Sequence, residues 1–82
     1  MTKTVKYSEL KIGDVIIWYG AEVVIRDINR IYREPNGHFK GGNCTYFTIA
    51  PNNEKALEIL GGFYAHGTYG GIDTLEVAKV IA

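Results

Sequence analysis

The chain has a single cysteine, no excess of charge of either sign and no long apolar run. Each scarcity removes a class of protein. Cys44 has no partner for an intrachain disulfide, which fits a reducing interior better than secretion. Nine Lys and Arg balance nine Asp and Glu, so the large positive excess that usually drives phosphate-backbone binding is missing. No segment approaches the roughly 18 consecutive apolar residues of a membrane span. The N-terminal stretch MTKTVKYSELKIGD lacks the apolar run of a signal peptide. The expectation is a soluble, cytoplasmic protein. Low hydrophobicity and high net charge, the marks of disorder, are both absent.

What is present suffices for one small fold. The 82 residues are 46% hydrophobic and 12% aromatic, which suits a single domain over 1–82 with a modest core. Val15 to Tyr19, VIIWY, is β-branched and aromatic throughout and reads as a buried strand. Gly20-Ala21 reads as a short turn into Glu22 to Arg33. There Val23 and Ile25 keep one parity and Ile28 and Tyr32 the other, so a long strand with a bulge near Asp27 explains the pattern better than a helix. Asn36-Gly37 is a hairpin signal, with Phe39 to Ile49 as the returning strand. Asn52-Asn53 offers an N-cap to a short helix over Glu54 to Leu60, with Ala56, Leu57 and Leu60 toward the core and Gly61 as its C-cap. Thr74 to Ile81 reads as a closing strand that pairs with the first. Leu10 and Ile12 are expected under the mouth of the barrel, Trp18 in the core and Tyr19 at the rim.

Together these elements predict a mainly β fold: a small, partly open antiparallel barrel with one short helix before the last strand. The opening LKIGDVIIWYGAEVVIRDI resembles the entry of many SH3-like barrels, where Leu-x-x-Gly-Asp precedes the first long hairpin. With HGTYGG near the end, the chain is similar to small barrel proteins carried by bacteriophages. That resemblance implies an SH3-like barrel and a phage accessory or counter-defence role in the host cytoplasm. It implies no role for any particular residue.

The chemistry-bearing residues concentrate between Gly61 and Gly71, GGFYAHGTYGG, which holds half of the 10 glycines together with Phe63, Tyr64, His66 and Tyr69. The segment reads as a loop. It follows a helix and lacks the Gly-Lys-Ser/Thr ending, which removes a P-loop. Its backbone N–H groups around Gly67 to Gly71 could still form an anion nest. Tyr64 and Tyr69 could stack on a base, with His66 and Thr68 supplying hydrogen bonds. Gly70-Gly71 reads as a hinge into the last strand. Arg26 and Arg30 share strand parity and could neutralise an anion, although Asp27 and Glu34 are interleaved with them. Cys44, His38 and His66 match no zinc spacing. A Cys–His nucleophilic pair would have to be assembled in space.

The functional expectation is therefore a non-enzymatic binding module without a cofactor. Its partner would be a host protein or a small anionic, nucleotide-like ligand, held by Tyr64, His66, Gly67, Thr68 and Tyr69 with Arg26 and Arg30. The six tyrosines also suit a homo-oligomer. Single-stranded nucleic-acid binding is the alternative and a small hydrolase the more remote one; the sequence favours neither.

Overall fold

A computed structural model describes residues 2–34, 42–72 and 77–81. The expected Asn36-Gly37 hairpin, with His38 and Lys40, lies outside them. The described chain is mainly β. Six strands form one antiparallel sheet: β1 (Thr2–Lys6), β2 (Val15–Trp18), β3 (Ala21–Arg33), β4 (Gly42–Pro51), β5 (Thr68–Ile72) and β6 (Val77–Ile81). Their spatial order is β1-β6-β2-β3-β4-β5, so the sheet is not closed and β1 and β5 form its edges. One helix, α1 (Glu54–Tyr64), separates β4 from β5. No described helix is long and apolar enough to cross a membrane.

The sequence accounts for most of these elements locally. Tyr19 and Gly20 both have positive φ, 50° and 82°, between the paired residues Trp18 and Ala21. This is the two-residue turn whose twist matches a hairpin. The turn is thus Tyr19-Gly20, and Ala21 is the first, fully buried residue of β3. A second turn occupies Lys11 to Asp14, with Gly13 at φ 95°. Asp14 N–H donates to Lys11 O at 3.1 Å, and Lys11 N–H donates to Asp14 Oδ2 at 2.9 Å. At α1, Asn53 Oδ1 accepts from Ala56 N–H at 2.8 Å, an asparagine N-cap. The helix is broken after Leu60, where Gly61 takes φ 71°.

The bulge falls where the parity change put it. Ladder pairing passes from Ile25↔Ile49 directly to Asp27↔Thr48, leaving Arg26 as the extra residue. Before it Val23 and Ile25 face the core, and after it Ile28 does, opposite buried Phe47. The closing strand is shorter than expected at its start, since residues 73–76 lie outside the described range. It pairs with β1 along its whole length and also with β2, so it sits inside the sheet.

Phe47, Leu10, Ile16, Ile25, Ile49 and Val23 are the largest fully buried apolar side chains among the described residues, and Tyr7 is buried beside them. Tyr7 meets Phe47 edge-on at 5.2 Å and Trp18 meets it at 5.6 Å, favourable T-shaped contacts. Trp18 is half-buried, with its Nε1–H enclosed and without an acceptor among the described residues. Further expectations fail in detail. Ile12 is 64% exposed because it occupies the outer corner of the Lys11–Asp14 turn; only Leu10 packs inward. Leu57 is 41% exposed, because one turn of helix meets the core with Ala56 and Leu60, spaced i, i+4, and Leu57 lies off that stripe. The segment after α1 is not all loop, since Thr68–Ile72 is a sixth strand.

Phe47 joins Tyr7, Trp18 and the β-sheet core in one cluster. Phe47→Ala should therefore cost about 3–5 kcal/mol of unfolding free energy. Urea unfolding followed by tryptophan fluorescence would measure it.

Candidate functional site

The glycine-rich segment is divided among three local structures. Gly61 interrupts the helix, Ala65-His66 turn the chain back, and Thr68 to Ile72 pair with β4. Gly70 and Gly71 are thus ladder residues opposite Tyr46 and Thr45, not a hinge. Gly70 is required by close approach. A Cβ there would collide with the Tyr46 ring and lie 2.9 Å from Thr45 O. Gly67 is covered in the same way by the Tyr69 ring, whose atoms would lie 2.8 Å from an added Cβ.

Tyr69 has little freedom to stack on a ligand. Its ring lies 4.8 Å from that of Trp18, it packs on the core, and its hydroxyl donates to Tyr64 O at 3.1 Å. Thr68 pairs its hydroxyl with that of Thr48 at 3.3 Å. Tyr64, the last residue of α1, and His66, in the turn that follows it, are exposed. The two tyrosines therefore do not form a two-sided clamp. Nor is there an open nest at Gly67 to Gly71. Ile49 N–H donates to Gly67 O, which sets the phase of the ladder and turns the N–H groups of Tyr69 and Gly71 toward β4.

The two arginines are also separated. Counting residues across Arg26 and Arg30 runs through the bulge, so equal parity does not give an equal face. Arg26 is exposed at the bulge, level with Thr48 and Thr68 across the sheet. Arg30 follows Ile28 onto the inner face and reaches the segment before β2. One guanidinium nitrogen, Nη2, donates to the carbonyls of Leu10 at 2.9 Å, Ser8 at 3.1 Å and Tyr7 at 3.4 Å. Tyr7 O already accepts the Leu10 N–H at 3.2 Å within the 3-10 turn Tyr7–Glu9, whereas the Ser8 and Leu10 carbonyls have no backbone donor among the described residues, and Arg30 supplies one.

Around that contact lies a cleft of about 560 Å³, lined by Lys3 and Val5 of β1, Ser8 to Lys11, Asp14, Arg30 and Val80. Its floor is apolar: Leu10 is buried, and Val5 and Val80 pack on the core. Lys3 faces it because Lys3 and Val5 share a strand face, paired with Val80 and Ala78. Three cations, Lys3, Lys11 and Arg30, meet two acids. Both acids are engaged locally: Glu9 Oε1 accepts from Lys6 N–H at 3.2 Å, and Asp14 Oδ2 from Lys11 N–H. None of the three cations forms an ion pair with a described residue. An apolar floor under unpaired cations can take a compact anion carried on an apolar or aromatic body.

Cys44 and His66 do not meet. Cys44 is buried opposite Ile72, whereas His66 precedes Thr68, which lies opposite Thr48. Four residues of strand separate those levels, about 13 Å. No group of three or more metal-ligating side chains occurs among the described residues. No protein-family model, no curated protein and no solved structure matches this chain.

Sequence reasoning had Arg30 but not Lys3, Ser8 or Lys11. The alternation of Lys3 with Val5 was a usable signal for a shared face. That this face opens on Arg30 depends on the strand order β1-β6-β2-β3, which no local pattern encodes.

The two arginines should separate on mutation. Arg30→Met leaves the Ser8 and Leu10 carbonyls without a donor and should cost about 1–2 kcal/mol, reduced from the buried range by partial exposure. Arg26→Met should stay within about 0.5 kcal/mol. Chemical denaturation of both variants beside the parent checks the difference.

Proposed function

We propose that the protein is a non-enzymatic binding module that holds a small anionic, nucleotide-like ligand in the cleft between β1, β6 and the Ser8–Lys11 segment. The observation that carries this reading is the convergence of Lys3, Lys11 and Arg30, none ion-paired among the described residues, over the apolar surface of Val5, Leu10 and Val80. Lys3 and Lys11 would act as point charges on a phosphate or carboxylate. Arg30 would offer the donors that its three carbonyl contacts leave over. The apolar floor would take the uncharged body of the ligand. On the resemblance to phage-borne barrels, the setting we propose is that of an accessory or counter-defence protein that sequesters such a ligand in the host cytoplasm.

A second reading, occupation of a host protein, is favoured by the exposure of Tyr19, Tyr32 and Tyr64 at 81%, 59% and 63%. Tyrosine is enriched at protein interfaces and costs little entropy to order. The two readings differ in what competes. Binding of a protein partner through these tyrosines should survive saturating nucleotide, whereas a ligand-filled cleft is emptied by a competing anion.

A thermal-shift series with inorganic phosphate and with mono-, di- and cyclic nucleotides provides the test. At one hundred times its Kd, a ligand adds about 2.7 kcal/mol, which raises the Tm of a domain of this size by at least about 10 °C. The expected result is such a rise with at least one nucleotide, diminished by added salt and lost in the Lys3→Glu, Lys11→Glu double variant. The reading is overturned by no rise near millimolar concentration with any of these anions, or by a rise that the double variant retains.

A further inference from the structure

The two edges of the sheet are protected very differently. β1, TKTVK, carries Lys3 and Lys6, the kind of charge that deters edge-to-edge pairing. β5, TYGGI, carries no charge, and no described strand pairs with its outer side. The ladder phase fixes which groups that side presents. With Ile49 N–H on Gly67 O, the groups of Tyr69 and Gly71 point to β4, so the N–H and C=O of Thr68, Gly70 and Ile72 point outward.

From this edge we infer that the protein self-associates, β5 pairing antiparallel with β5 of a second copy about a two-fold axis through Gly70. The outward groups are self-complementary in that arrangement. Thr68 faces Ile72 of the partner subunit, Gly70 faces its own equivalent, and the three pairs exchange six main-chain hydrogen bonds. An isologous contact of this kind requires a strand that tolerates its own copy. β5 qualifies because it has no charge to repel itself, and the whole chain has none in excess. The bare Cα of Gly70 helps a second time. The Tyr46 ring lies across it, so the axis brings two such rings over one face of the seam and adds apolar cover to the hydrogen bonds. A five-residue strand buries less than a standard stable interface, so the dimer is a weak one, in the micromolar range.

Light scattering across a concentration series tests the pairing, with hydrogen exchange on the same samples. The wild-type mass should pass from one chain to two between the low- and high-micromolar ranges, with the amides of Thr68 and Gly70 gaining protection as it does. Thr68→Pro removes one outward N–H and leaves the β4 ladder intact, so it should weaken association at least tenfold at unchanged circular dichroism. Thr4→Glu, on the opposite edge, should leave association unchanged. A wild-type chain that stays single at high-micromolar concentration overturns the inference. So does a dimer in which the amides of Thr68 and Gly70 exchange as fast as in the monomer, or a folded Thr68→Pro variant that associates like the parent. Exchange on the wild-type chain decides the matter even where Thr68→Pro does not fold.

Discussion

One extra residue in β3 sets the phase on which the cleft depends. Up to Ile25 the odd-numbered side chains face the core; after Arg26 the even-numbered ones do. Without that insertion Ile28 would leave the core and Arg30 would face away from the Tyr7–Leu10 segment. With it, Arg30 spans the inner face and takes the carbonyls of Tyr7, Ser8 and Leu10. The same level of β3 is held from its other side: Gly13 N–H donates to Ile25 O and Ile25 N–H to Asp14 O, both at 2.8 Å. The segment from Tyr7 to Asp14 is thus fastened to β3 on either side of the bulge, and Tyr7 and Leu10 enter the core as a consequence.

This arrangement gives Arg30 two roles that pull in one direction. As a structural group it donates to the Ser8 and Leu10 carbonyls, which the 3-10 turn leaves without a backbone donor, and half-buried carbonyls without donors are costly. As a charge it stands at the inner wall of the cleft, fixed by those same contacts. A cation held in place by backbone carbonyls would lose little freedom if an anion bound, so the ordering cost of the proposed binding would fall mainly on Lys3 and Lys11. The two acids are similarly committed to backbone amides of their own turns, which leaves the cleft with one positive charge in excess.

The sequence made the main architecture legible wherever a local signal coincided with a tertiary need. The parity change between Ile25 and Ile28 revealed the bulge, Asn53 the helix start, and VIIWY a strand of the sheet. It failed where the decisive fact was a contact between distant segments. Thr68 to Ile72 has two glycines and weak strand propensity, and it is a strand because β4 lies beside it and Tyr46 covers Gly70. The composition of Gly61 to Gly71 therefore pointed to a binding loop when much of it serves pairing and packing. Lys3 and Lys11 were ordinary surface lysines until β6 inserted between β1 and β2 and brought them to Arg30.

The open sheet also keeps its two proposed surfaces apart. The cleft draws on β1 and β6 at one side, with Arg30 reaching across from β3, while the uncharged edge is β5 at the other. Pairing through β5 would extend the sheet in the strand order β1-β6-β2-β3-β4-β5 and then its reverse, leaving both clefts toward the outer ends. Neither occupant would then obstruct the other, and a dimer would carry two independent sites. A closed barrel would have joined β1 to β5 and removed the uncharged edge. Remaining open is what leaves this small chain with both a cleft of net positive charge and an uncharged edge strand.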